Sequence, residues 1–212
     1  MIKAVIFDMD GVIADSEVAH ESAMRKVLEK HGFKLTTEDY ARFCPGRTDE
    51  DGFKGIVEGN NLNIDVEDLC KEKSRLFPQI AENSIAEVNG ATELIKKLHE
   101  KVKLGVASGA NRDDVEMILS KLDVKKFFQI TVSGDDVRFG KPDPESYLLA
   151  ATKLNVYPNA CLVIEDAKAG ILSAKAAGMK CVALRSKYAS EEDLSEADKI
   201  VNSLSEISID EF

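Results

Sequence analysis

Apolar and polar positions change texture along this chain. The first run, Ala4-Val5-Ile6-Phe7, is rich in β-branched and aromatic residues and stops at a charge, which predicts a buried strand. The residues that follow read as helices. Residues 16–30 carry Val18, Met24, Val27 and Leu28 at helical spacing and end before Gly32. Residues 37–43 and 48–59 predict short helices with Thr or Asp near their starts. Residues 65–77 place Val66, Leu69, Cys70, Leu76 and Phe77 on one stripe, with Pro78 as the expected stop.

From residue 83 onward, strands and helices alternate. Residues 90–100 predict a helix with Leu94, Ile95 and Leu98 inward, followed by a strand at 103–107. Val115, Ile118, Leu119 and Leu122 mark a second amphipathic helix, and 130–132 a short strand. A helix at 144–154 opens with proline, a strand at 160–164 ends in acids, and a helix at 167–177 stops at Gly178. Strands at 180–184 and 200–201 close the series, and the acidic tail from Ser190 reads as solvated surface. This alternation predicts an α/β fold: a doubly wound, Rossmann-like parallel sheet covered on both faces. The helical block interrupts it directly after the first strand. A core of 1–14 and 83–212 with an inserted all-helical domain at 15–82 is therefore expected.

Composition narrows the setting. With 44% hydrophobic and 31% charged residues, the chain reads as soluble and globular, with no run long enough for a membrane span. The N-terminus enters a strand at once, without signal-peptide architecture. Cys44, Cys70, Cys161 and Cys181 lack paired short spacing, so a reducing, cytoplasmic location is expected rather than zinc or disulfides. A net charge of −10 argues against nucleic acid as a partner, yet it leaves room for a small phosphorylated ligand in a locally cationic cleft. No obligate protein partner is evident.

Candidate chemistry gathers at strand ends. Asp8 and Asp10 follow the first strand, two residues apart and so able to lean over one crevice; they are equally readable as a solvated acidic turn. Gly11 frees the backbone to turn. Ser108 and Gly109 end the strand at 103–107, where a hydroxyl and free N–H groups suit a phosphate oxygen, or simply cap a helix. Gly140-Lys141-Pro142-Asp143-Pro144 holds one lysine in a stiff loop, suited to a phosphoryl group or a carboxylate. Glu165-Asp166 repeats the acidic strand end and adds hard oxygen ligands of the kind Mg²⁺ takes.

Asp8-Met9-Asp10-Gly11, Ser108, Gly140-Lys141-Pro142-Asp143 and Glu165-Asp166 with Ala169-Gly170, in this order, resemble the haloacid dehalogenase-like superfamily. The similarity is to its phosphatase and β-phosphoglucomutase-like branch, and it spans the chain, with 15–82 as that branch's cap domain. It implies a phosphoric monoester hydrolase or phosphomutase in which Asp8 is the nucleophile, forming an aspartyl-phosphate, and Asp10 the acid/base. It also implies Mg²⁺ held by Asp8, Asp10 through its carbonyl, Asp166 and Glu165, and phosphoryl oxygens held by Ser108, Gly109 and Lys141. The second aspartate, Asp10, favours phosphate chemistry over dehalogenation.

The cap of that branch implies Asp15-Ser16 as hinge and His20, Arg47, Lys73 and Asn111 as substrate contacts. Lys73 occupies the apolar stripe between Cys70 and Phe77, so it either snorkels outward or faces a polar cleft. His20 is either such a contact or a helix-surface residue. Departures from the mutase pattern occur after Ser108 and around Arg47. The leading expectation is a Mg²⁺-dependent phosphatase of a small metabolite such as a sugar phosphate, and the alternative a sugar phosphomutase. A receiver-like phospho-accepting module is a distant third, since receivers lack a helical insertion after the first strand.

Overall fold

The computed structural model describes residues 1–212, apart from the side chain of Asn83. Strand β1 (Ala4–Phe7) and the two-residue β2 (Ala14–Asp15) lead into helices α1 (Glu17–Lys30), α2 (Thr37–Phe43), α3 (Asp49–Gly59) and α4 (Val66–Ser84). A second two-residue strand, β3 (Ala86–Glu87), brings the chain back. Then follow α5 (Ala91–His99), β4 (Lys103–Ala107), α6 (Arg112–Lys121), β5 (Ile130–Val132) and α7 (Glu145–Leu154). The chain ends with β6 (Cys161–Glu165), α8 (Lys168–Ala176), β7 (Lys180–Leu184), α9 (Glu191–Leu194) and β8 (Lys199–Val201).

The six long-range strands form one parallel sheet in the order β5-β4-β1-β6-β7-β8. This is the α/β architecture the alternation predicts. Strand β1 lies in the middle, and Phe7 is level with Val106 of β4 and Ile164 of β6. Strand order reverses at β1, and in such sheets the crevice beyond the carboxyl ends at that point is the ligand site. The period of two along β1 supplies both layers. Val5 and Phe7 pack with Leu94, Leu98, Ile118 and Leu119 from α5 and α6. Ala4 and Ile6 pack with Tyr147, Ala151, Ile171 and Ala174 from α7 and α8.

The four-helix block has a core of its own, built on Met24, Val27, Leu28, Tyr40, Phe53, Ile56 and Leu69. Thr36, Thr48 and Asp65 cap its helices through side-chain oxygens that accept backbone N–H bonds. Its two crossings lie side by side, because β2 and β3 pair antiparallel, Ala14 opposite Glu87 and Asp15 opposite Ala86.

Three local expectations are corrected. Helix α4 continues through Pro78 to Ser84. Proline there removes one helix hydrogen bond at a cost of about 3 kcal/mol, and burial of Phe77 and Ala81 against the main core offsets it. Val18 is exposed, and Ala19, His20 and Ala23 form the buried face of α1 instead. The tail beyond Ser190 is more than solvated surface: its acids face water, but Leu194, Val201, Leu204 and Ile207 are buried. Cys161 and Cys181 are buried free thiols. Among the described residues, no helix is long and apolar enough to cross a membrane.

Candidate active site

Asp8 continues the Ala4–Ile6 face of β1, so its side chain emerges on the side where α7 packs. The backbone N–H of Asp8 donates to the Ile164 carbonyl at 2.9 Å, which extends the sheet to the site. Lys141, in the rigid loop before α7, is buried and spends all three of its N–H donors. They go to Asp8 Oδ1 at 2.7 Å, Glu165 Oε1 at 2.7 Å and the Ala107 carbonyl at 3.1 Å. Burial works against the ammonium, but Asp8 and Glu165 outweigh it and push the Lys141 pKa up, so it stays charged.

Glu165 is saturated. Its Oε1 also accepts from the Tyr147 hydroxyl at 2.8 Å, and its Oε2 accepts the backbone N–H groups of Asp166 at 2.9 Å and Ala167 at 3.1 Å. Gly170 makes space for it, since a Cβ there would lie 1.5 Å from Glu165 Oε1. Gly11 does the same for Asp166: its φ of 77° is left-handed, and a Cβ would fall 2.2 Å from Asp166 Oδ2.

Asp10 faces the helical block. Its Oδ1 accepts from the Ser16 hydroxyl and from His20 Nε2 at 3.1 Å, and its Oδ2 from the Ser108 hydroxyl at 3.3 Å. Burial opposes ionisation, but His20 and Ser16 outweigh it and hold Asp10 down at about 2. Lys73 is fully buried and so does not snorkel outward: its Nζ meets His20 Nδ1 at 2.8 Å and donates to Asp49 Oδ1. An ammonium can only donate, so His20 Nδ1 accepts and its proton sits on Nε2, facing Asp10. Phe77 stacks on the ring at 4.1 Å between centroids and fixes its plane.

Asp8, Glu165 and Asp166 each offer an oxygen within 4.8 Å of one another, and all three are buried. Burial, and then Glu165, push both Asp8 and Asp166 well above the usual carboxylate range. One ammonium is too little positive charge for this cluster. Hard oxygen donors with uncompensated charge fit a divalent cation such as Mg²⁺.

Ser108 lies opposite these acids, its Oγ also accepting from the Ala110 N–H at 3.0 Å. The helical block closes over this edge through glycines. A Cβ on Gly109 would lie 2.4 Å from the Arg47 carbonyl, one on Gly46 2.8 Å from the Ala167 Cβ, and one on Gly140 2.8 Å from Thr48 Cγ2. The cavity left between them is about 30 Å³ and is lined by Asp8, Asp10, Glu17, His20, Asp49 and Gly109, among others.

Eight of the sequence candidates thus converge on the site with Gly109: Asp8, Asp10, His20, Lys73, Ser108, Lys141, Glu165 and Asp166. Two cap candidates stand differently. Arg47 is an exposed residue that meets the core through its carbonyl and also lines the cavity. Asn111 is the N-cap of α6, accepting from the Asp114 N–H at 2.9 Å and donating to Asp114 Oδ2 at 2.8 Å. Sequence reasoning missed Tyr147, which resembles any core aromatic of α7, and Asp49, which resembles any acid in a helix's first turn. It also missed Glu17, which is buried and accepts from the Tyr40 hydroxyl. Its signal was its place beside Asp15-Ser16.

The family model described as haloacid dehalogenase-like hydrolase matches residues 5–184, spanning every strand end described above. The chain belongs to this family. A haloacid dehalogenase-like relative from Thermotoga maritima, a phosphorylated carbohydrates phosphatase, is 37% identical over 84% of this chain and 83% of its own. A fructose-1-phosphate phosphatase of Escherichia coli is 32% identical over 85% of this chain and 95% of its own. Among solved structures, a β-phosphoglucomutase from Clostridium difficile superposes with a TM-score of 0.88 at 27% identity, covering 100% of this chain and 95% of that one. This haloacid dehalogenase-like chain is therefore an enzyme, a hydrolase or a mutase.

Proposed function

We propose that the chain is a Mg²⁺-dependent phosphatase of a small phosphorylated metabolite, a sugar phosphate, working through an aspartyl-phosphate on Asp8. Residues 1–14 and 83–212 act as the catalytic core and 15–82 as its cap. The observation that carries this reading is the Lys141 ammonium at 2.7 Å from Asp8, anchored at the same distance by Glu165. It favours the ionised nucleophile against burial and Glu165, and sits where phosphoryl oxygens arrive. Relatives acting on phosphorylated carbohydrates support the substrate class.

In the reaction, an Asp8 oxygen attacks phosphorus and the bond to the leaving oxygen breaks. Asp10, ionised in the resting site, has to take up a proton as the ester binds, and it gives that proton to the leaving oxygen. Water then attacks the phosphorus of the aspartyl-phosphate, Asp10 takes the water's proton, and the Asp8 carboxylate is regenerated. Ser108 and the Gly109 amide hold the phosphoryl oxygens, and Lys141 joins them by giving up one of its three contacts. Glu165 acts through Lys141 and the loop amides as a positioning residue. Asp8, Asp166 and the Asp10 carbonyl would hold Mg²⁺, with Glu165 reaching it through water; the ion neutralises charge building up on the phosphoryl group.

The mutase alternative draws support from the likeness to β-phosphoglucomutase and from the Ser16 and His20 contacts to Asp10. A panel of phosphorylated metabolites with Mg²⁺ tests both. Free phosphate and, from β-glucose 1-phosphate with a bisphosphate primer, isomerised product are assayed separately. Asp8→Asn is expected to lower turnover by at least about 10³-fold with an unchanged far-UV circular dichroism spectrum. Substantial residual activity at saturating Mg²⁺ would remove the nucleophile assignment.

A further inference from the structure

The cap wall opposite Asp8 carries its own counter-charge. Lys73 is its buried cation, and two of the three donors on that ammonium point at Asp49 and His20. Asp49 is one-fifth exposed, so its carboxylate reaches both Lys73 and the cavity. Glu17 adds a second acid to the same lining, with Tyr40 donating to it. Arg47 also lines the cavity, but it is an exposed residue. The wall therefore presents the Asp49 and Glu17 carboxylates as acceptors, with the Lys73 ammonium fully buried behind Asp49. A hydroxyl group both donates and accepts, and fits such a surface. A phosphate dianion only accepts, and meets two carboxylates.

We propose that Asp49 is a specificity-determining residue: by holding the Lys73 ammonium it makes the cap a reader of neutral hydroxyls, so the site takes polyols and sugars carrying one phosphate and rejects those carrying a second. This rests on the phosphosugar reading above and deepens it. A mutase passing through a sugar bisphosphate needs a cap that welcomes two phosphates, and Asp49 opposes that.

The test uses the full chain with Asp8→Asn, so that ligands bind without turning over. Calorimetry with Mg²⁺ compares fructose 1-phosphate with fructose 1,6-bisphosphate. The monophosphate is expected to bind at least about tenfold tighter. Adding Asp49→Asn is expected to shrink that gap to about threefold or less, by tightening the bisphosphate. Asp49→Ser, tolerated at the start of α3, gives the same readout if the Asn variant fails to fold. A bisphosphate that binds the Asp8→Asn protein as tightly as the monophosphate overturns the proposal. So does a gap that both Asp49 variants leave intact, or binding of neither ester. Phosphate release from p-nitrophenyl phosphate by the wild-type chain checks the phosphatase reading separately, because that leaving group has no hydroxyls for the wall to read.

Discussion

The Glu165 carboxylate lies 2.7 Å from the Lys141 ammonium, and its other acceptor directions are filled by Tyr147 and two backbone amides. An acid so fully engaged orients its neighbours and has little left to give a metal directly. Glu165→Gln puts an amide NH₂ against either Lys141 or the Asp166 and Ala167 N–H groups. We expect kcat to fall by about 10- to 100-fold with KM nearly unchanged, measured by steady-state phosphate release. Tyr147→Phe removes one of the four contacts and is expected to cost about 1 kcal/mol of stability in urea unfolding.

Asp166 is the acid that burial and its acidic neighbours leave least compensated. A carboxyl whose pKa rises on folding costs stability at every pH above its ordinary value, in full once pH passes the raised one. Without metal, Asp166→Asn is therefore expected to raise Tm. Added Mg²⁺ is expected to stabilise the wild type and to stabilise Asp166→Asn far less. Differential scanning fluorimetry with EDTA and with Mg²⁺ reads both; equal Mg²⁺ stabilisation of the two chains would remove Asp166 from the metal site.

Asp114 offers a titration away from the metal ligands. Burial pushes its pKa up to about 6, while Lys73 and His20 pull the other way. The folded state thus takes up a proton that the unfolded chain releases above an ordinary carboxylate pKa. Stability should rise as pH falls from 7 through 6, and level off near 4. Asp114→Asn keeps a partner for Asn111 and is expected to stabilise by about 1–2 kcal/mol at pH 7.5, with little effect at pH 4. Urea unfolding at the two pH values decides it.

Lys73 touches the acid/base through His20 and holds Asp49, which lines the cap side of the cavity. Lys73→Met keeps the apolar stem. It is expected to lower kcat/KM for a hexose phosphate about tenfold more than for p-nitrophenyl phosphate. Equal losses on both would show that Lys73 does not read the leaving group.

Much of this architecture was legible because its determinants are local. The alternation along Ala4–Phe7 dictates two covered faces, and Asp8, Ser108 and Glu165 follow directly after strands whose apolar runs are plain. Residues whose role comes from distant partners were harder. Tyr147 matters through Glu165, and Asp49 through Lys73, each far along the chain. Lys73 itself was readable only as an anomaly in an apolar stripe. Pro78 misled because tertiary burial of Phe77 and Ala81 overrides a local helix breaker. The acidic tail misled because its charges hide four well-spaced core residues.

The glycines at 46, 109 and 140 have a consequence for how this enzyme changes over time. Where the cap meets the core at Gly109, the contact is main chain on main chain, Arg47 carbonyl against glycine. Such a joint depends on backbone shape and not on which side chains the cap displays. Substitutions at Arg47 or along the cavity wall can alter what is accepted while the way the cap shuts is preserved. Recognition and closure are separately mutable here, so new substrates are within reach of single changes, whereas any side chain at Gly109 obstructs them all.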